Sequence, residues 1–380
     1  MVSGEQGVTA FRPNRTAVSA FFFISGFTFA SWASRIPHLQ SKLGLSEAML
    51  GSVLLALPIG SMVSLLMAGA LITKLGSKNV LLTAAGLYGP ILISLDLAQN
   101  TWQLVTGLFF FGVAGNLFNI SVNTQAVGVE NMYRRPIMAS FHGVWSLAGF
   151  TGAALGTLMV SLQAEPFLHF VISAFIGWVL IFLFHNSTIE PTDKGKGPAF
   201  AIPDKFILQL GLIAFCCLVC EGTMFDWSGV YFKKVVLAPE RATTLGYAAF
   251  MGCMATGRFI ADRFVMRLGS RNMLIASGLV IFTGLMLAVL LPTLLMATLG
   301  FMLVGFGVSS VVPIVYSMAG RSKTMHPGQA LAAVSSVGFA GFLAGPPLIG
   351  LIAEASSLQW SFGIVALIGI STSLLAKKIL

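Results

Sequence analysis

Charged side chains are scarce in this chain of 380 residues. Asp, Glu, Lys and Arg together make up 9% of it, against 56% hydrophobic residues and a mean hydropathy of +0.88. A soluble domain carries about a quarter charged residues, so a soluble fold is excluded and a bilayer is the solvent that suits the chain. Cysteine is nearly absent as well. Cys216, Cys217, Cys220 and Cys253 all fall inside apolar stretches rather than loops, which excludes a secreted disulfide framework. Cys217-x-x-Cys220 reads as two small buried side chains, not as a metal or redox pair. No Walker loop, zinc-ligand cluster, nucleophile elbow or dinucleotide fingerprint occurs, so no catalytic residue, metal or cofactor is expected and the chain does not read as an enzyme. The formal charge of +9 does not gather into a basic arm interleaved with aromatics, which argues against a nucleic-acid partner.

Long apolar runs fill the space that charge leaves. A spanning helix needs about 20 apolar residues, so with loops this length holds about twelve crossings and no sizeable soluble domain. Apolar runs read against breakers predict spans near 16–36, 48–72, 79–97, 102–127, 137–161, 167–185, 206–232, 243–262, 273–291, 294–318, 329–353 and 359–376. The first run is long and starts after Arg12 and Arg15, so it reads as a retained span and not a cleaved signal. Residues 186–205 carry Pro191, Gly195, Gly197, Pro198 and Pro203 among mixed charges, which is linker chemistry. They divide the chain into an N-terminal six-helix bundle, 1–185, a cytoplasmic linker, and a C-terminal six-helix bundle, 206–380.

Of the 22 Lys and Arg residues, sixteen fall in alternate loops and the tails, among them Arg12, Lys74, Lys78, Arg134, Arg135, Lys194, Arg263, Arg267, Lys377 and Lys378. Five, Arg35, Lys42, Lys233, Lys234 and Arg241, fall in the opposite loops, and Arg258 lies inside a span. Cations stay on the side of synthesis, so both termini are expected in the cytoplasm.

The halves repeat each other. Lys74-Leu75-Gly76-Ser77-Lys78-Asn79 returns as Arg267-Leu268-Gly269-Ser270-Arg271-Asn272 at an offset of 193, Thr28 and Trp32 return as Thr223 and Trp227, and Gly107 and Gly112 as Gly300 and Gly305. A duplicated six-span unit is the layout of transporters that rock two halves around a central site. Small-residue stripes at Gly152-x-x-x-Gly156 and Gly341-x-x-x-Gly345-Pro346-Pro347 suit close helix packing.

The basic turn Gly69-Ala-Leu-Ile-Thr73-Lys74-Leu-Gly76-Ser-Lys78 resembles the signature of the major facilitator superfamily, which usually has an acid where Thr73 stands. Four further segments, Gly26 to Pro37, Asn119 to Gln125, Arg135 to His142 and Glu221 to Ser228, resemble a bacterial inner-membrane branch related to MosC, the rhizopine-associated membrane protein, and more remotely fucose permeases. Members of that branch often have Asp where Asn119 stands. The resemblance implies an all-α integral membrane fold of twelve helices in two pseudo-symmetric halves, and transport of small, sugar-like or aminocyclitol solutes.

Ionisable groups at bilayer depth cost at least about 2.5 kcal/mol on insertion scales, so each needs a reason. In the seventh span Glu221 and Asp226 are five residues apart, about 140° around a helix, and cannot share a face. Glu221 is expected to sit deeper and titrate, and Asp226 to pair with a cation or polar backbone. Arg35 is expected to meet a carboxylate of the seventh span or an anionic solute, with snorkelling as the alternative. Asn116, Asn119 and Asn123 share one stripe of the fourth span and suit hydroxylated or zwitterionic solutes, or bonding between helices. His142 and Trp145 share a face of the fifth span, as a proton relay and a stacking surface. Trp32 and Trp227 read as solute-stacking groups or as interface anchors. Arg258 and Asp262, four apart with Arg263 beside them, read as a cytoplasmic gate together with the basic turn of Lys74 and Lys78.

The expected function is movement of a small organic solute through a central cavity lined by the first, fourth, fifth and seventh spans. The drive would come from protons, with the protein a monomer in the bilayer of a bacterial inner membrane. Uniport or broad metabolite and drug export uses the same scaffold, and a receptor or scaffold that binds without translocating is the alternative of another class.

Overall fold

A computed structural model of the chain describes residues 11–133, 137–189, 204–322, 325 and 327–379. Arg134, Arg135, Lys194, Lys196 and most of the predicted linker lie outside these residues, as does the side chain of Asp262. The described chain is helical: α1 (Arg12–Ala33), α2 (Ile36–Lys42), α3 (Glu47–Leu54), α4 (Ala56–Leu75), α5 (Ser77–Asp96), α6 (Thr101–Tyr133), α7 (Met138–Ser161), α8 (Pro166–Phe184), α9 (Lys205–Lys234), α10 (Leu245–Leu290), α11 (Leu294–Val308), α12 (Val311–Ala319), α13 (Pro327–Ala355) and α14 (Leu358–Ile379). In hydrocarbon each backbone N–H and C=O must be satisfied within its own segment, and helices do that. Their ends follow local chemistry. Asp204 caps α9 by accepting from the Ile207 N–H at 2.8 Å, Ser46 and Thr293 cap α3 and α11, and α8 opens on Pro166.

Among the described residues, eleven segments are long and apolar enough to cross a membrane. The N-terminal part of α10, from Leu245 onward, is helical where the sequence predicts the eighth span. The predicted loop between the eighth and ninth spans is corrected: helix continues through Arg263–Leu268 and breaks only at Gly269. The first two spans are each broken once, α1 from α2 at Ser34 and Arg35 and α3 from α4 at Leu55. The tenth breaks at Ser309 and Ser310.

The described residues form two compact units. The first holds residues up to Arg35, from Ala56 to Met159, and from Ala164 to Ile189; the second holds Ile36–Leu55, Val160–Gln163 and residues from Asp204 onward. In the first, Tyr88 stacks on Phe111 at 4.3 Å and Phe22 on Phe141 at 5.6 Å. In the second, Tyr231 lies against Phe362 at 4.3 Å and donates its hydroxyl to the Ala288 carbonyl at 2.9 Å. Apolar side chains also cover the outside, with Leu66 86% exposed, as lipid-facing surface requires.

Backbone geometry carries the repeat. Gly76 has φ 81° and ψ 147°, and its counterpart Gly269 has φ 77° and ψ 158°, a region closed to residues with a Cβ. Helix contacts repeat as well. A Cβ at Gly112 would strike the Leu57 carbonyl and one at Gly305 the Phe250 carbonyl; Gly107 meets Leu95 as Gly300 meets Ala288, all at the same offset of 193. The first glycine stripe behaves likewise, with Gly152 against the Phe27 carbonyl and Gly156 against Ser34; in the second, Gly341 lies against the Phe215 carbonyl but a Cβ at Gly345 would meet open space, which corrects the close packing expected there.

Candidate functional site

Within the second unit, α9 carries both acids. Glu221 is buried, and its Oε1 lies 3.4 Å from Nη2 of Arg258 on α10, with 6% and 20% of the two side chains exposed. The sequence pairs Arg258 with Asp262, whose side chain lies outside the described residues; the structure gives Arg258 a carboxylate partner on a neighbouring helix. Around the pair, Cys217 and Cys220 direct their thiols to the Val308 and Val365 carbonyls at 3.8 and 3.7 Å, as small buried side chains. The seventh-span segment thus surrounds one ion pair with apolar and weakly polar groups.

Asp226 behaves differently. It is half-buried, and among the described residues it makes no hydrogen bond or ion pair, which corrects the expected pairing with a cation or backbone group. Its electrostatic neighbour is Tyr247 on α10, whose hydroxyl has no hydrogen-bond partner. Trp227 follows it, wholly buried, with an unpaired indole N–H. Trp32, its counterpart in the first unit, is also buried with its N–H unpaired, 6.2 Å from the Phe111 ring. Neither tryptophan is an interface anchor, since an anchor holds its N–H at the headgroups.

Within the first unit, the stripe on α6 divides. Asn116 donates to the Ser61 carbonyl and to Ser64 Oγ, both at 2.8 Å, and so ties α6 to α4. Asn123 donates to Asn119 Oδ1 at 2.5 Å and to the Asn119 carbonyl at 2.8 Å, leaving an exposed amide at Asn119. On α7, His142 is exposed and meets the Phe22 ring edge-on at 5.3 Å, and Trp145 is half-buried. Gly26, the repeat counterpart of Glu221, lies directly against the Trp145 carbonyl, where any side chain would collide.

Arg35 is 3% exposed and committed inside its unit. Its Nε donates to His169 Nδ1 at 3.1 Å and its Nη2 to the Ala164 carbonyl at 2.9 Å, with Asp96 and Glu165 contributing charge nearby. The snorkelling alternative is therefore corrected: the guanidinium finds its partners in protein. Sequence reading missed His169, which looks like one more residue of an apolar run, and Gln125, whose amide bonds Ser77 Oγ at 2.8 Å and both backbone groups of Ile189. Spacing alone holds no sign of either partnership. Of the basic groups expected at a gate, Lys74 and Arg263 are exposed and Lys78 is half-buried, and Thr73 turns its hydroxyl to the Gly69 carbonyl at 2.8 Å. The Asp262 side chain lies outside the described residues.

Comparison with known proteins agrees with this architecture. The family described as Major Facilitator Superfamily matches residues 17–323 and 238–380. The chain is 35% identical to an uncharacterized MFS-type transporter of Yersinia pestis over 94% of each chain, and 34% identical to an uncharacterized transporter of Sinorhizobium fredii over 94% of this chain and 96% of that one. It is 29% identical to the membrane protein MosC of Rhizobium meliloti over 93% and 87%. Among solved structures, the nucleoside transporter NupG superposes with a TM-score of 0.76 at 13% identity, covering 96% of this chain and 98% of that one. A bacterial homolog of the human lysosomal transporter Spinster gives 0.74 at 13%, over 97% of each. At such identities these structures are similar in fold alone.

Proposed function

The chain belongs to the major facilitator superfamily and is a multi-pass bacterial membrane transport protein, and from that premise we propose that it carries a small polar organic solute by alternating access, driven by protons. The solute is sugar-like, an aminocyclitol or another polar metabolite, and the protein works as a monomer with both termini in the cytoplasm of the inner membrane. The observation that carries the coupling is the buried pair of Glu221 and Arg258. In a low-dielectric interior the pair is neutral as a whole, and a proton on Glu221 leaves Arg258 with an uncompensated charge. That cost favours whichever arrangement returns Arg258 to water or to another anion, so proton uptake biases one state over another. The amides of Asn119 and Asn123, with His142 and Trp145, are the groups of the first unit suited to a hydroxylated solute: amides donate and accept, and aromatic faces stack on sugar rings. Asp226 adds a second acid on α9, and the basic groups Lys74, Lys78 and Arg263 act at the cytoplasmic side.

The test begins with a panel of sugars, cyclitols, amines and drugs screened for thermal stabilisation of purified protein. Solutes that stabilise are then offered to proteoliposomes under an imposed pH gradient. Glu221→Gln should lose at least about tenfold in gradient-driven accumulation while keeping counterflow, as expected when one coupling group of an exchange cycle is neutralised. Unchanged accumulation in that variant removes the coupling role. A native protein indifferent to the gradient yet active in counterflow is a uniporter, and one that binds without flux in either direction is a receptor.

A further inference from the structure

Cations gather at one end of the last helix of the second unit. Arg271, just past the Gly269 turn of α10, donates from Nη2 to the Lys377 carbonyl on α14 at 3.1 Å, and Lys378 is the next residue. All three side chains are exposed, and among the described residues none of them makes an ion pair. Arg267, also exposed, lies four residues before Arg271. The C-terminal end of a helix offers cations about half a negative charge, and three full charges exceed it. The acids of this unit do not make up the difference. Glu47 is held by Lys234 and Glu221 by Arg258, Glu354 accepts from the Ala48 N–H, and Asp204 caps α9. Asp226 lies within α9 and Glu240 in the turn before α10, while Asp262 is one charge at most and stands beside Arg263.

The face of α14 beneath this cluster shows what it meets. Trp360, Leu367 and Leu374 are exposed and recur every seven residues, and Lys377 and Lys378 follow Leu374 by three and four, so all five lie within about 100° of one side of the helix. From Trp360 to Lys377 the helix rises about 26 Å, close to the roughly 30 Å of a bilayer's hydrocarbon. Tryptophan at one end, leucines between and lysines at the other is what a helix presents to lipid from one headgroup layer to the next. The basic end therefore stands among headgroups. We propose that Arg271, Lys377 and Lys378 bind the headgroup phosphate of an anionic phospholipid whose acyl chains lie along Leu374 and Leu367. Arg271 distinguishes this end from any other positive edge. Held by the Lys377 carbonyl, its guanidinium presents its remaining N–H groups as a fixed fork suited to phosphate oxygens. A zwitterionic headgroup brings an ammonium of its own, so one of net negative charge matches the excess better. The first repeat lacks the arrangement: Lys78 stands where the second has Arg271, and Phe184 and His185 where it has Lys377 and Lys378.

Delipidated full-length protein is heated at low salt in mixed micelles of a neutral detergent with phosphatidylglycerol, or with the same mole fraction of phosphatidylethanolamine. Phosphatidylglycerol should raise the unfolding midpoint by about 3 °C more than phosphatidylethanolamine does. That difference should fall to about a third or less when Arg271→Gln, Lys377→Gln and Lys378→Gln are combined, and persist when Lys74→Gln and Lys78→Gln remove two cations from the corresponding turn of the first repeat. Equal midpoints in the two lipids overturn the proposal, as does an undiminished difference in the triple variant. A similar loss in the Lys74 and Lys78 variant means attraction to any basic edge, which overturns it too. Inorganic phosphate without lipid, set against chloride of equal ionic strength, should leave the native midpoint unchanged; a rise matching that of phosphatidylglycerol identifies a soluble anion and refutes the lipid. Should the triple variant not fold, Lys377→Gln with Lys378→Gln, two exposed changes at a helix end, should at least halve the difference, and an undiminished one refutes the site. None of these measurements involves transport, so their outcome and that for Glu221 are independent.

Discussion

Two acids five residues apart on α9 meet opposite circumstances, and the difference is one of partners. Glu221 has Arg258 within 3.4 Å, while Asp226 has no ion-pair partner among the described residues. Removing one member of a buried pair strands the other's charge, so Glu221→Gln and Arg258→Gln should each lower stability by about 3 kcal/mol. The double variant should recover much of that loss, since two neutral amides can hydrogen-bond where two ions did. Denaturation of the four proteins measures the coupling directly, and strictly additive losses would show that the two side chains do not act as a pair. Sequence showed which residues were rare enough to matter at this scale, but not which met. The i, i+4 spacing of Arg258 and Asp262 is visible in one dimension, whereas Glu221 and Arg258 are 37 positions apart and are brought together by helix packing.

Helices here approach through glycine. A methyl group at Gly112 or Gly305 would enter a carbonyl of the neighbouring helix, and backbone gives way less readily than a side chain. Gly112→Ala and Gly305→Ala are therefore expected to cost about 2 kcal/mol each, as overpacking does, and Gly86→Ala, with open space around its Cβ position, should cost no more than a few tenths. Thermal midpoints of the three variants settle the order. Elements were the most legible level of the sequence. Apolar length located the helices, and the recurrence of Gly107 and Gly112 as Gly300 and Gly305 anticipated paired contacts that the structure bears out. The break at Leu55 was not read from the sequence, although Pro58, which cannot donate to the Leu54 carbonyl and is tolerated in the first turn of a helix, marks it. The missing loop before Gly269 has a similar cause, because Arg263–Leu268 is polar enough to resemble a loop yet helical enough to extend one.

For the molecule as a whole, the uneven sharing of Lys and Arg fixes an expected orientation that labelling can check. All four native cysteines are buried, so an introduced thiol reports alone. Lys377→Cys should react with a membrane-impermeant maleimide in inside-out vesicles and not in intact cells, and Arg241→Cys should show the opposite pattern. Reaction of both from the same side would break the alternation of crossings on which every later step depends. The duplication itself bears on how such a molecule divides its labour. Glu221 stands where the first copy has Gly26, and Arg258 where it has Leu65, a side chain 59% exposed on the outside of the first unit. The glycine turns and helix contacts were kept in duplicate, whereas the ionic pair exists once. A scaffold copied twice has thus become lopsided in its chemistry: the coupled acid and base belong to one twin alone, so the two are no longer exchangeable parts.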